Sequence, residues 1–205
     1  MNPSHREHAS DTAGRLPEWL TLEDLLVAAE DGKFSGWPWE LLNAMLGEYQ
    51  ERGERITTSV LVNHCTRADI IKRKENYVED LENLYVPFRG TMVHKVLETY
   101  AHERSIAEAR FYTTVGGVEI SCSPDHLTET RLTDWKVTEN PPLYNNPWPN
   151  HQEQVQLNAF IVRNADSYSL PRYSEGDRNS IKDWKEDLPF DPRNGVKELA
   201  LAYLG

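Results

Sequence analysis

The sequence predicts an α/β fold of the α+β kind, in which a helix, a three-stranded antiparallel meander and a second helix follow one another. Three observations predict it. Val93, Val96, Leu97, Tyr100 and Ala101 recur at helical spacing. Residues 107–115, 118–127 and 132–138 are rich in β-formers, and short turn segments separate them. Val155, Leu157, Phe160, Ile161 and Val162 then give residues 151–162 an apolar side.

Composition bounds what this fold does. The chain has 205 residues, room for one domain with a terminal extension. A hydrophobic share of 39% and a charged share of 27% belong to a globular protein that binds no membrane. No apolar run approaches a bilayer span. The polar first residues, MNPSHREHASDTAG, lack the apolar core of a secretory signal. Two cysteines, Cys65 and Cys122, make neither a disulfide framework nor a metal-cluster motif, so a cytoplasmic setting is expected. The net charge of −11 leaves no broad basic surface for a polyanion, so any nucleic-acid contact must run along a local basic path.

In chain order, residues 1–55 read as an N-terminal extension with a polar, aperiodic start and a helical arm. Thr21 caps an apolar stripe of Leu22, Leu25, Leu26 and Ala29, and a second helix is expected over 39–50. Trp19, Trp37 and Trp39 read either as packing of this arm or as a docking surface. Residues 56–205 read as the main domain. Thr58 or Ser59 can cap a helix running through Val60, Leu61, Cys65 and Ala68. Arg67, Lys72, Arg73 and Lys74 form its densest basic cluster, either a solvated face or a DNA backbone contact, and Arg89 joins them as a candidate contact. Pro87 ends the preceding element, and Gly90-Thr91 opens the helix that carries His94 and Glu98 on one flank. Gly116-Gly117 is a tight hairpin turn. Residues 138–150, with four prolines, are loop, and a short element is expected near 180–184. Residues 196–204 read as the start of an amphipathic helix.

The hairpin over 118–138, VEISCSPDHLTETRLTDWKVT, carries the chemistry. With its turn centred between Glu129 and Thr130, Asp125 stands opposite Asp134 and Ser123 opposite Lys136. Asp134 and Lys136 are two apart and share a face. Two opposed carboxylates destabilise a sheet unless they share a proton or bind a cation. Two hard oxygen ligands suit Mg²⁺ or Mn²⁺. The bland alternative is an ordinary ion pair of Lys136 with either aspartate.

Pro124-Asp125 followed by Asp134-Trp135-Lys136 resembles the signature of the PD-(D/E)XK nuclease superfamily. Gly90-Thr91-Met92-Val93-His94 upstream and Gln156-Leu157-Asn158-Ala159-Phe160 downstream place the resemblance in its RecB-like branch, which includes small phage-encoded nucleases. The match runs from about Ile56 to Val162, with Phe160 where the branch has Tyr. The resemblance implies a restriction-endonuclease-like core, a mixed central sheet flanked by helices. It implies a Mg²⁺- or Mn²⁺-dependent deoxyribonuclease, an exonuclease of phage or bacterial DNA recombination, repair or degradation. His94, Asp125, Asp134 and the Trp135 main-chain carbonyl would hold the metal. Lys136 would orient the attacking water, Glu108 would relay protons or stand as an outer ligand, and Gln156 would bond the nucleic acid or the site's waters. Cys65 stands near the first iron–sulfur cysteine of some relatives, but no C-terminal cysteine cluster completes it, so no such cluster is expected. DNA, a recombination or replication protein and further copies of the chain are the partners this kinship suggests. Two other readings stay open: a catalytically silent nuclease-fold subunit that binds DNA or scaffolds a partner, and an interaction protein that works through its acidic surface and N-terminal tryptophans.

Overall fold

A computed structural model describes residues 40–41, 44–45, 56–62, 81–142, 146–170 and 178–204. The chain divides into two compact units, Met1–Glu54 with Arg67–Thr91, and Arg55–Thr66 with Met92–Gly205. The expected helices over 21–29 and 39–50, the three tryptophans, Cys65, Arg67, Lys72, Arg73 and Lys74 lie wholly or mostly outside the described residues.

The second unit is a mixed α/β structure with two mixed sheets and flanking helices. Its elements are β1 (Ile56–Thr57), α1 (Thr58–Leu61), the end of α2 (Leu81–Thr99), β2 (Arg110–Val115), β3 (Val118–Cys122), β4 (His126–Leu127), β5 (Arg131–Val137), α3 (Pro149–Arg163), β6 (Ser167–Ser169), β7 (Asn179–Ser180), a 3₁₀ turn (Ile181–Glu186), α4 (Pro192–Gly195) and β8 (Glu198–Leu204). One sheet runs β1-β3-β2-β6-β7 and the other β4-β5-β8. In the first, only β1 and β3 pair in parallel. In the second, β4 is antiparallel to β5 and β8 is parallel to it. No helix among the described residues is long and apolar enough to cross a membrane.

Sequence chemistry explains the joints. Gly116 and Gly117 have φ of 59° and 83°, which lets the β2–β3 turn match the strands' twist. Phe111, Tyr112 and Tyr168 are fully buried, so β2 and β6 form the floor of the core. Val155, Ala159, Ile161 and Val162 of α3 close over it. Pro149 starts that helix at its first position, where a missing N–H costs nothing.

Four expectations need correction. The three-stranded meander is split between the sheets: the 118–127 run breaks at Ser123-Pro124-Asp125, and only His126 and Leu127 resume pairing. Pro124 has no N–H to give a ladder, so the strand ends there. Residues 198–204 form a strand, not a helix. Glu, Leu and Ala favour helix by propensity, but seven-residue pairing with β5 overrides that preference. Pro87 lies inside α2 instead of ending an element, and the Thr91 hydroxyl donates back to the Pro87 carbonyl at 3.1 Å instead of capping. Val96 and Tyr100 on the supposed core stripe are exposed, as is Phe160 of α3.

Candidate metal centre

Three elements converge where β3 ends and β4 begins. Asp125 follows the chain break at Pro124. The β4–β5 pairs His126↔Thr133 and Leu127↔Leu132 put the turn centre between Glu129 and Thr130, as the sequence predicts. Carried one step further, this register faces Asp125 with Asp134. Asp125 pairs through its side chain: Oδ2 accepts the Trp135 N–H at 2.5 Å. The carboxylate thus takes the place a backbone carbonyl of β4 would have had.

Glu108 enters from the segment before β2. Its φ of 54° is left-handed, a conformation that costs a non-glycine residue roughly 1–2 kcal/mol. Two bonds hold it there. Its N–H donates to the Pro124 carbonyl at 3.2 Å, and its carbonyl accepts the Ser123 hydroxyl at 2.9 Å. The Ser123 hydroxyl is therefore spent on Glu108.

His94 comes from the part of α2 in the second unit. Its Nε2–H donates to the Trp135 carbonyl at 3.1 Å, which leaves Nδ1 as the lone-pair nitrogen of a neutral ring. Nδ1 stands 3.4 Å from both Glu108 Oε1 and Asp125 Oδ1. The ring also meets the Trp135 indole edge-on, with centroids 5.9 Å apart. One ligand atom from each of His94, Glu108 and Asp125 fits within a sphere where all lie within 4.8 Å of one another. Glu108 Oε1 is buried, and the partner it faces is the His94 ring.

The titrations agree. The Asp125 carboxyl is pushed up to about 7, by burial first and then by the Asp134 charge, against the pull of His94. The Glu98 carboxyl also rises, from burial and from Glu108. The Glu108 carboxylate holds the His94 pKa above its ordinary value, against burial. Crowded carboxylates that penalise each other's ionisation are relieved by a divalent cation. Two carboxylates and one imidazole suit Mn²⁺ or Mg²⁺, and the nitrogen favours Mn²⁺ of the two.

A second group stands beside this one. Lys136 Nζ lies 2.8 Å from buried Asp134 Oδ2 and donates to Gln154 Oε1 at 2.8 Å. Both anchors leave the ammonium partly accessible.

The sequence-predicted residues therefore sort plainly. His94, Asp125 and Glu108 come together. Asp134 stands next to them as the partner of Lys136 and is outside the three-residue group. The Trp135 carbonyl orients His94 from behind. Gln156 is exposed, with no side-chain hydrogen bond among the described residues. Gln154, two positions earlier, holds Lys136. Residues two apart on a helix diverge by about 200°, so only one of the two glutamines can face β5. The polar flank His151–Gln154 beside a buried Val155 is the signal that points to Gln154. Arg89 is half-buried in the first unit's part of α2. Cys122 is buried with its thiol toward the Asn158 carbonyl at 3.6 Å, away from this group.

No family model and no curated protein matches the chain. Among solved structures, the crystal structure of SSO0001 is 18% identical, with a TM-score of 0.43 over 75% of this chain and 74% of that one. A likeness at that level fixes neither fold nor function.

Proposed function

We propose that the chain is a Mg²⁺- or Mn²⁺-dependent nuclease of the PD-(D/E)XK kind, RecB-like branch, hydrolysing DNA phosphodiester bonds as an exonuclease. On this reading the two sheets and α3 make up a restriction-endonuclease-like core. One observation carries the proposal: His94 Nδ1, Glu108 and Asp125 converge within 4.8 Å, directly beside an Asp134–Lys136 pair. The sequence order Asp125, Asp134, Lys136 fits the resemblance, and Glu108 takes the ligand place first given to Asp134.

His94, Glu108 and Asp125 would hold the cation, which supplies an acidified water and neutralises charge on the phosphate. The chain's own residues prepare that chemistry. The Trp135 carbonyl fixes the His94 tautomer. The Trp135 N–H fixes the Asp125 carboxylate. Asp134 and Gln154 hold the Lys136 ammonium at one place, where its charge stabilises the pentavalent phosphorus or steers the attacking water.

The test is cleavage of end-labelled linear and closed circular DNA with Mg²⁺, Mn²⁺ or EDTA, by wild type and Lys136→Ala. Metal-dependent loss of linear DNA alone, abolished in the variant, is expected. Cutting of the circle makes the enzyme an endonuclease. No cleavage of either substrate or of a matched RNA, by a protein that binds Mn²⁺, overturns the catalytic reading in favour of a silent DNA-binding or scaffolding subunit.

A further inference from the structure

The Lys136 side of the site carries an aromatic group that the proposed chemistry does not use. β8 runs parallel to β5, and Tyr203 is the register partner of Lys136. Neighbours at matching register sit on one face of a sheet, so the Tyr203 ring lies beside the Lys136 side chain. His151, in the first turn of α3, joins it: its Nδ1 is 3.0 Å from the Tyr203 hydroxyl. Trp148, the residue before α3, closes the cluster, with centroids 5.1 Å from His151 and 6.2 Å from Tyr203.

The cluster is braced. The Tyr203 hydroxyl accepts the Trp148 backbone N–H at 3.4 Å and shares a hydrogen bond with His151 Nδ1. A neutral His151 makes this bond in either tautomer. Burial and the nearby Lys136 ammonium hold the ring toward that neutral form. Two hydrogen bonds and two ring contacts thus fix where Trp148 stands.

Among the described residues, no ring stacks parallel on Trp148. Its planes cross those of His151 and Tyr203 at 57° and 75°, so neither ring lies parallel to it. Some 38% of the residue remains exposed. A large, fixed, half-exposed indole, linked through Tyr203 to the strand position of the Lys136 ammonium, offers the two things a nucleotide needs: a face for the base and, one ring further on, a charge for the phosphate. On a chain of net charge −11, backbone attraction is weak, and stacking is the contribution that charge does not oppose.

We propose that Trp148, held by Tyr203 and His151, is the stacking platform for an unpaired nucleobase whose phosphate lies at Lys136. The substrate class is therefore single-stranded nucleic acid or a frayed end. A duplex base has both faces covered by its neighbours, and only an unpaired or terminal base can take this place. The proposal rests on the reading of His94, Glu108, Asp125 and Lys136 as a phosphodiester site.

The test uses the full chain in two measurements. The first is fluorescence anisotropy in EDTA with a labelled single-stranded DNA oligonucleotide and an abasic one of equal length. Wild type should bind the abasic strand roughly ten-fold more weakly, the loss expected for one stacked base. Trp148→Ala should bind both strands alike, at the level of wild type on the abasic strand, and Trp148→Phe should recover most of the difference. The second is Mn²⁺-dependent cleavage of the same single strand and its blunt duplex. Trp148→Ala should raise KM on the single strand roughly ten-fold with kcat little changed. Equal wild-type binding of normal and abasic strands overturns the platform, and that comparison needs no variant to fold. The two readings fail separately. Cleavage without an abasic preference leaves the nuclease and removes the platform. An abasic preference without cleavage leaves the platform on a non-catalytic binder.

Discussion

Ionising Asp125 should cost the metal-free protein stability, by an amount the site's burial sets. Asp125 is 6% exposed, and its carboxyl is pushed up to about 7 from 3.8, by burial first and by Asp134 second. That is about three units, and at ~1.36 kcal/mol per unit the whole effect is on the order of 4 kcal/mol. The folded chain holds this proton more tightly than the unfolded chain does. Its contribution is therefore complete below about pH 4 and is lost as pH rises through about 7. Between about pH 5 and pH 7, the loss is about 2 kcal/mol. Urea unfolding in EDTA, of wild type and Asp125→Asn, measures it. Asparagine cannot ionise, so the variant should gain on wild type by about that amount over the window. Repeating the pair in His94→Gln removes the imidazolium that titrates nearby and is itself held above its ordinary value by Glu108. Mn²⁺ replaces the proton, so it should flatten the wild-type pH dependence and leave that of Asp125→Asn unchanged. A difference that does not change with pH, or one of opposite sign, refutes the account of Asp125 as a buried, crowded carboxyl.

Three further outcomes follow from particular contacts. Gln154→Ala removes one acceptor of the Lys136 ammonium and should lower kcat/KM roughly 5- to 30-fold, about 1–2 kcal/mol, while Gln156→Ala should stay near wild type in the same cleavage assay. Glu108→Gly relieves the left-handed strain at the cost of chain entropy; unfolding in EDTA should show a gain of up to ~1 kcal/mol, and calorimetry should show weaker Mn²⁺ binding. Gly195→Ala drives a Cβ into the Glu129 carbonyl, where α4 lies against the β4–β5 turn and Lys197 and Glu198 N–H donate to Thr130; it should lower stability by roughly 1–3 kcal/mol, read as a shifted urea midpoint with unchanged slope.

Local signals were legible where local chemistry decides the outcome. Gly116-Gly117 had to turn, because two successive positive-φ residues suit nothing else so well. The β4–β5 centre between Glu129 and Thr130 followed from the symmetry of the two β-rich runs about a polar tetrapeptide. That register brought Asp125 and Asp134 to one place from sequence alone. What escaped was decided by distant partners. Residues 198–204 are helix-formers by composition and become a strand because β5 offers seven parallel pairing positions. Pro124 divides one predicted strand between two sheets, which no periodicity announces. Glu108 reaches His94 only because the Ser123-Pro124 backbone clamps it in a left-handed turn. The Gln154 contact to Lys136 also escaped, because the orientation of α3 follows from which face carries Val155, Ala159 and Val162.

Mn²⁺ binding tests the central claim most directly. Isothermal calorimetry and electron paramagnetic resonance at about pH 8 on wild type, His94→Ala, Glu108→Gln, Asp125→Asn and Gln156→Ala would read it, with circular dichroism to show that each variant folds. Tight Mn²⁺ binding in wild type and Gln156→Ala, and its loss in the other three, is the predicted result. Equal Mn²⁺ binding by all five proteins, or none by wild type, would contradict a metal centre built from His94, Glu108 and Asp125.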